Sequence, residues 1–279
     1  MNVPNIKLNS GHQMPQFGLG VWQASDQEAT AAVLAALQDG YRMIDTAEVY
    51  RNERGVGRGV RESGLPREDI FVTTKYWPQG GYAQAIQFFE QSLALLDIDY
   101  VDLFLIHWPP EPREAFLETW RAYIELLGTG RVKSIGVSNF AIPHLELLAD
   151  NFDVLPAVNQ VEIHPDMQQR ELVEYCNRKG IAVEAWSPLG GSSRSDKSLL
   201  ENPITGAIAR KHGKSPAQAI LRWHIQAGNI VIPKSVHAAR IRENSEIFDF
   251  ALDEEDLARI DTLDDPDNRV GPDPAEVRI

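Results

Sequence analysis

Eight short apolar runs, each followed by a longer segment of helical period, are the feature that most restricts the fold of this chain. The runs read "FGLGVW", "RMIDT", "IFVTTK", "VDLFLIH", "SIGVSN", "AVNQVEIH", "IAVEAW" and "IVIPKS". They are rich in β-branched residues and mostly lack polar alternation, the pattern of strands buried on both faces of a parallel sheet. Parallel neighbours need a crossover, and segments such as "QEATAAVLAALQDG", "YAQAIQFFEQSLALL" and "QRELVEYCNRKG" supply helices of the right length. Gly40 and Gly180 are placed as C-cap glycines for two of them. Strand ends recur about 23 to 48 residues apart, which fits one (β/α)₈ TIM barrel over residues 1–279 with no linker or composition break. The opening "IKLNSGHQMPQFG" predicts an N-terminal β-hairpin turning at Ser10-Gly11 and closing the barrel floor. A doubly wound sheet is the alternative, but its phosphate fingerprint is missing. "GLGVWQ" lacks the third glycine, and "GVGRGV" follows charged residues rather than a strand.

In order, the runs end at or near Trp22, Asp45, Lys75, His107, Ser138-Asn139, Gln160-Glu162, Trp186 and Lys234-Ser235. A barrel gathers these C-terminal strand ends on one face, where its chemistry is done. Asp45, Lys75 and His107 then converge from the second, third and fourth strands, with Tyr50 on the loop after the second. A phenol has a pKa near 10 and is a poor acid at neutral pH. A neighbouring ammonium favours the phenolate, each pKa unit being about 1.4 kcal/mol. Asp45 would keep Lys75 charged, and His107 would hydrogen-bond and polarise a substrate carbonyl. Taken singly, Asp45–Lys75 is equally a structural ion pair, His107 a satisfied core histidine and Tyr50 a surface aromatic. Together they form a device for protonating an alkoxide as it develops on a carbonyl.

Carbonyl reduction needs a hydride, which no side chain provides, so a nicotinamide cofactor is implied. Ser138, Asn139 and Gln160 offer groups for its carboxamide, and Trp186 a flat face for its ring. "SPLGGSS" could close over a pyrophosphate, and Lys234, His237, Arg240 and Arg242 form a local basic cluster suited to a phosphate. That cluster stands out because the chain carries a formal charge of −13, which disfavours nucleic acid as a partner. No apolar run approaches the roughly 18 residues of a membrane span, and "MNVPNIKLNSGHQMP" does not read as a signal peptide. The lone cysteine, Cys176, predicts a cytoplasmic protein and reads as inert packing. No apolar interface stripe is evident, so a monomer is expected.

These motifs, in order, resemble the aldo-keto reductase family over nearly the whole chain: "MPQFGLGVWQ", "GYRMIDTAEVYRNERGVG", "FVTTKYW", "DYVDLFLIHWP", "SIGVSNF", "PAVNQVEIHP", "VEAWSPLG" and "IVIPKS". Trp186 and "KSPAQAILRWHIQ" are similar to the bacterial 2,5-diketo-D-gluconate reductase branch. The resemblance implies Tyr50 as general acid, Lys75 as its modulator, Asp45 as support and His107 as the carbonyl-orienting group. It further implies cofactor contacts from Ser138, Asn139, Gln160 and Trp186, from Ser187, Leu189 and Gly190 along a pyrophosphate, from Lys234, Ser235 and Arg240 around a 2′-phosphate, and from Glu243 and Asn244 at the adenine. Lys234 and Arg240 favour NADPH over NADH, although His237 stands where relatives often carry arginine. Trp22, Trp77 and Trp108 would line an apolar pocket. Short loops after the fourth and seventh strands, with the C-terminal tail, predict an open site for small aldehydes, ketones and dicarbonyls, diketo sugar acids among them. Two other readings remain: a barrel hydrolase using Glu162 and Glu184 as accessible acids, and a non-catalytic NADPH-binding subunit.

Overall fold

The computed structural model describes residues 2–111, 113–191 and 198–274. Ten strands follow one another: β1 (Asn5–Lys7), β2 (Gln13–Pro15), β3 (Leu19–Gly20), β4 (Met43–Asp45), β5 (Phe71–Tyr76), β6 (Val101–Ile106), β7 (Val132–Ser138), β8 (Val158–Glu162), β9 (Ala182–Trp186) and β10 (Ile230–Val231). The last eight pair in parallel in sequence order, so every neighbour is the next strand along the chain. The sheet closes where Phe17 bridges Val231 and Gly20 bridges Lys234, with the Gly18 amide donating to the Val231 carbonyl at 3.0 Å. Glycine is needed in this seam. A Cβ on Gly20 would sit 2.9 Å from the Ile232 carbonyl oxygen. The result is the closed parallel barrel that the alternation of runs predicts.

The floor is closed as expected. β1 and β2 pair antiparallel around Gly11, whose φ of 89° only glycine adopts without strain. The hairpin sends Leu8 and Met14 into one buried cluster with Met43, Phe71, Leu103, Leu105, Val158, Ile230 and Ile232. These residues stand at alternate positions of their strands and fill the lower barrel. The intervening positions, including Ile44, Val72, Phe104, Val137, Val161 and Val183, face outward into a second core beneath the helices.

That outer layer comprises α1 (Asp26–Gln38), α2 (Glu53–Glu62), α3 (Tyr82–Leu96), α4 (Arg113–Gly128), α5 (Ile142–Asn151), α6 (Arg170–Arg178), α7 (Pro203–His212), α8 (Pro216–Gln226), α9 (Ala238–Ser245) and α10 (Glu254–Asp261). Helix starts are written locally. Ser25 and Ser215 build capping boxes with Glu28 and Gln218. Gly40 and Gly180 take positive φ just past α1 and α6, as their C-cap positions predict. Among the described residues, no helix is long and apolar enough to cross a membrane.

Two expectations about the rim need correction. The first barrel strand stops at Gly20 instead of running to Trp22, and beyond it Gln23 takes φ 60°. The segment after β9 is not short: residues 187 to 202 intervene before α7, and Ser192 and Ser193 of "SPLGGSS" lie outside the described residues. The end of the C-terminal tail, 275 to 279, lies outside them as well.

Candidate active site

Strand alternation turns Asp45, Lys75, His107, Ser138, Gln160, Glu184 and Trp186 inward, above the apolar floor. Lys75 Nζ lies 2.6 Å from Asp45 Oδ1 and also donates to the Thr46 carbonyl at 2.9 Å. The lysine side chain is fully buried. Burial works against its charge, but Asp45 above all, then Tyr50, hold the ammonium pKa above its ordinary value. Lys75 is therefore a fixed cation at every physiological pH.

Tyr50 reaches this cation from a 3₁₀ turn, Glu48–Tyr50, whose geometry is set by buried polar anchors. Arg51 turns the chain through φ 56°, and Asn52 then locks it. Asn52 Oδ1 accepts from the Thr46 hydroxyl at 2.7 Å, while its amide donates to the carbonyls of Val21 and Ala24 at 2.9 and 3.0 Å. Glu53, the next residue, accepts from Thr74 at 2.6 Å. Lys75 Nζ stands 5.1 Å from the Tyr50 ring centroid. The phenol as a whole is pushed up by burial. Attraction from the Lys75 charge pulls it back down, so the ammonium acts in the expected direction without overcoming desolvation in the free protein.

His107 completes the group, its ring 5.6 Å from that of Tyr50 and edge-on to it. Burial, reinforced by Lys75, drives its pKa well below the ordinary value, so the imidazole is neutral. Its Nδ1 is buried without a hydrogen-bond partner among the described residues. Trp77 packs against His107 at 5.2 Å and near Trp108 at 6.4 Å, so the rings of Trp77 and Trp108 lie beside the quartet. Trp22 is 55% exposed and makes no ring contact with them.

On the opposite side the side chains intended for a carboxamide are already engaged with one another. Ser138 donates its hydroxyl to the Gln160 carbonyl at 2.8 Å. Asn139, at φ 63°, donates to the His107 carbonyl and to Ser138, and its Oδ1 accepts from Trp186 Nε1 at 2.8 Å. Gln160 donates to Asp45 Oδ2 at 2.9 Å and to Glu184 Oε2 at 2.8 Å, which leaves its carbonyl oxygen as the amide's open hydrogen-bonding atom. Trp186 is half-buried, and a Cβ on Gly271 would lie 2.4 Å from its ring, so the C-terminal segment packs on it. Glu162 fixes that segment by accepting from the Gly271 amide at 2.9 Å and the Val270 amide, and it binds His164 Nε2 at 2.9 Å.

The proposed phosphate end lies beyond β10. Ser235 is buried and accepts from the His237 amide at 3.1 Å, and Asn244 is buried on α9. Lys234, His237, Arg240 and Glu243 are exposed. No carboxylate pairs with Lys234 or Arg240 within ion-pair distance among the described residues, whereas Arg242 is engaged by Asp39 at 3.0 Å. Ser187 and Gly190 take positive φ and close a turn, with the Gly190 amide donating to the Ser187 carbonyl at 2.9 Å; Leu189 lies between them.

Sequence reasoning missed Asn52 as the anchor of the Tyr50 turn and the participation of Glu184 in the Asp45 network. The hydrolase reading fails its own criterion, because Glu162 and Glu184 are both fully buried and hydrogen-bonded to neighbours. Cys176 is buried, its thiol pushed up to about 11 chiefly by burial, which makes it an inert packing residue.

A closed parallel barrel with a buried Asp–Lys pair, a tyrosine over the lysine and a neutral histidine beside them defines a reductase-type barrel. The sequence model of the Aldo/keto reductase family matches residues 14–265, and the chain belongs to that family. It is 49% identical over 274 residues to the glyoxal reductase of Bacillus subtilis (strain 168), covering 98% of this chain and 96% of that one. Among solved structures it is similar to an aldo/keto reductase from Brucella melitensis, with TM-score 0.90 and 53% identity over 94% of this chain and all of that one. It is also similar to an aldo-keto reductase complexed with NADPH, with TM-score 0.89 and 39% identity over 95% and 89% of the two chains.

Proposed function

We propose that this protein reduces small aldehydes, ketones and dicarbonyls, diketo sugar acids among them, to alcohols at the expense of NADPH. The observation that carries the reading is the Lys75 ammonium, locked 2.6 Å from Asp45 and set against the Tyr50 ring. Tyr50 donates its hydroxyl proton to the carbonyl oxygen as that oxygen gains charge, and Lys75 stabilises the phenolate left behind. Neutral His107 retains one ring N–H, which holds the carbonyl oxygen in place. Trp77 and Trp108 exclude water from the reacting face.

NADPH, when bound, supplies the hydride to the carbonyl carbon. The residues present fit it. Lys234 and Arg240 are exposed cations with no carboxylate within ion-pair distance among the described residues, in an acidic chain, and are suited to a 2′-phosphate, with Ser235 beside them. Gln160 keeps a carbonyl oxygen for a carboxamide N–H, while Ser138 and Asn139 hold the wall that Trp186 faces. Ser187, Leu189 and Gly190 provide a backbone turn for the pyrophosphate, and Glu243 and Asn244 stand toward the adenine. Support comes from the relatives, one a glyoxal reductase and one complexed with NADPH. We read residues 1–279 as one barrel domain, working as a cytoplasmic monomer.

The test is a carbonyl screen at fixed NADPH, read as loss of its absorbance. Methylglyoxal or another dicarbonyl should be turned over. Tight NADPH binding with no turnover of any carbonyl would instead make this a cofactor-binding subunit.

A further inference from the structure

Among the described residues, Glu184 is a buried acid on the barrel interior to which the mechanism above gives no task. It is fully buried on β9, one inward position below Trp186. Its Oε2 accepts from Gln160 Nε2, and the same nitrogen donates to Asp45 Oδ2, so one amide group bridges two carboxyls at 2.8 and 2.9 Å. Its Oε1 is buried with no hydrogen-bond partner among the described residues. The Asp45 carboxylate is acceptor-only, so the amide nitrogen of Gln160 must face it, and Gln160 has a single orientation. The charged and titratable groups facing Glu184 are Asp45 from β4, Tyr50 from the following turn and Lys75 from β5. Of the two strands beside β9, β10 contributes Ile230 and Val231, and β8 sets Gln160 opposite Glu184, with Glu162 one inward position higher opposite Trp186.

We propose that Glu184 is a positioning residue for proton transfer: its neutral carboxyl anchors Gln160 against Asp45, and its ionisation adds a negative charge to the Asp45–Lys75–Tyr50 group and shuts reduction down at alkaline pH. The inference rests on the reductase reading for its effect on turnover. Charge arithmetic supports it. Asp45 and Lys75 already balance, so an ionised Glu184 leaves the enclosed group with one net negative charge and no counter-ion. Burial, then the Asp45 charge, push its carboxyl up to about 8, the side of neutrality where such a change is felt. An ionised Glu184 opposes phenolate formation at Tyr50, making that hydroxyl a weaker acid.

The test compares pH profiles of kcat for the wild type and Glu184→Gln, whose amide cannot ionise. In the wild type kcat should fall roughly tenfold for each pH unit above about 8. In Glu184→Gln the ratio of kcat at pH 9 to kcat at pH 7 should stay within about twofold of unity. An alkaline limb with the same midpoint in both proteins overturns the proposal. Infrared spectra of the wild-type protein without cofactor give a second readout that needs neither turnover nor the variant. A buried protonated-carboxyl band should be present at neutral pH and disappear with a midpoint near 8; no carboxyl band titrating there overturns the proposal. Because this band is independent of NADPH and substrate, failure of the Glu184 assignment and failure of the reductase reading are separable.

Discussion

Lys75 Nζ lies 2.6 Å from Asp45 Oδ1, with both side chains withdrawn from solvent. The pair comes from adjacent strands, and each inward position of β4 and β5 holds it directly over the apolar floor. Taking two charges out of water is costly, so either one left alone is strongly destabilising.

Lys75→Met should therefore act twice. Reduction should slow by at least about a hundredfold through loss of phenolate stabilisation. Stability should fall by about 3 kcal/mol or more, because a buried Asp45 loses its counter-charge. Urea unfolding of Lys75→Met, Asp45→Asn and the double variant checks this: the double variant should be less destabilised than the sum of the singles. Strict additivity would show the pair to be energetically uncoupled.

Asn52 makes three buried hydrogen bonds that fix the turn bearing Tyr50. Asn52→Ala strands the Thr46 hydroxyl and two carbonyls, for a loss of about 2–4 kcal/mol. Kinetically, kcat should fall more than KM rises, since the lost feature is the placement of the acid and not substrate contact. An unchanged kcat in a stable variant would mean the turn holds itself.

Gly271 touches Trp186 so closely that a methyl group would lie 2.4 Å from the ring. Gly271→Ala must displace Trp186 or the C-terminal segment, at about 1–3 kcal/mol. If Trp186 supports the nicotinamide ring, NADPH affinity measured by fluorescence quenching should fall roughly fivefold or more. Unaltered affinity would separate Trp186 from the cofactor.

Lys234 and Arg240 are exposed and free of carboxylate partners among the described residues. Lys234→Ala and Arg240→Ala should each weaken NADPH by about tenfold, the value of one charge-assisted contact, and leave NADH unchanged. Equal affinity of the wild-type protein for NADPH and NADH would contradict the assignment.

The barrel was legible because buried parallel strands leave uninterrupted apolar runs, and a functional face leaves polar residues at their ends. Asp45, Lys75 and His107 each break such a run at or next to its last residue. What the sequence concealed is of another kind. Trp22 read as the end of a run, but the strand itself is two residues long and Gln23 beyond it takes a positive φ, and neither follows from the apolar pattern. Asn52 was overlooked because its three partners come from separate segments, Val21 and Ala24 on one side of α1 and Thr46 on the other. Glu184 could be placed on β9 but not inside or outside it. A run covered on both faces shows no alternation to settle that question. Only register against β8, where Gln160 pairs with Glu184, turns the carboxyl inward.

Transfer of a proton from Tyr50 is the central claim, and Tyr50→Phe tests it most directly, with NADPH oxidation by methylglyoxal and NADPH binding measured on the same preparation. The expected result is a fall in kcat of at least about a hundredfold with NADPH affinity within roughly twofold of wild type, since the lost oxygen serves proton transfer and not cofactor binding. Turnover near the wild-type rate in a variant that still binds NADPH would contradict the account.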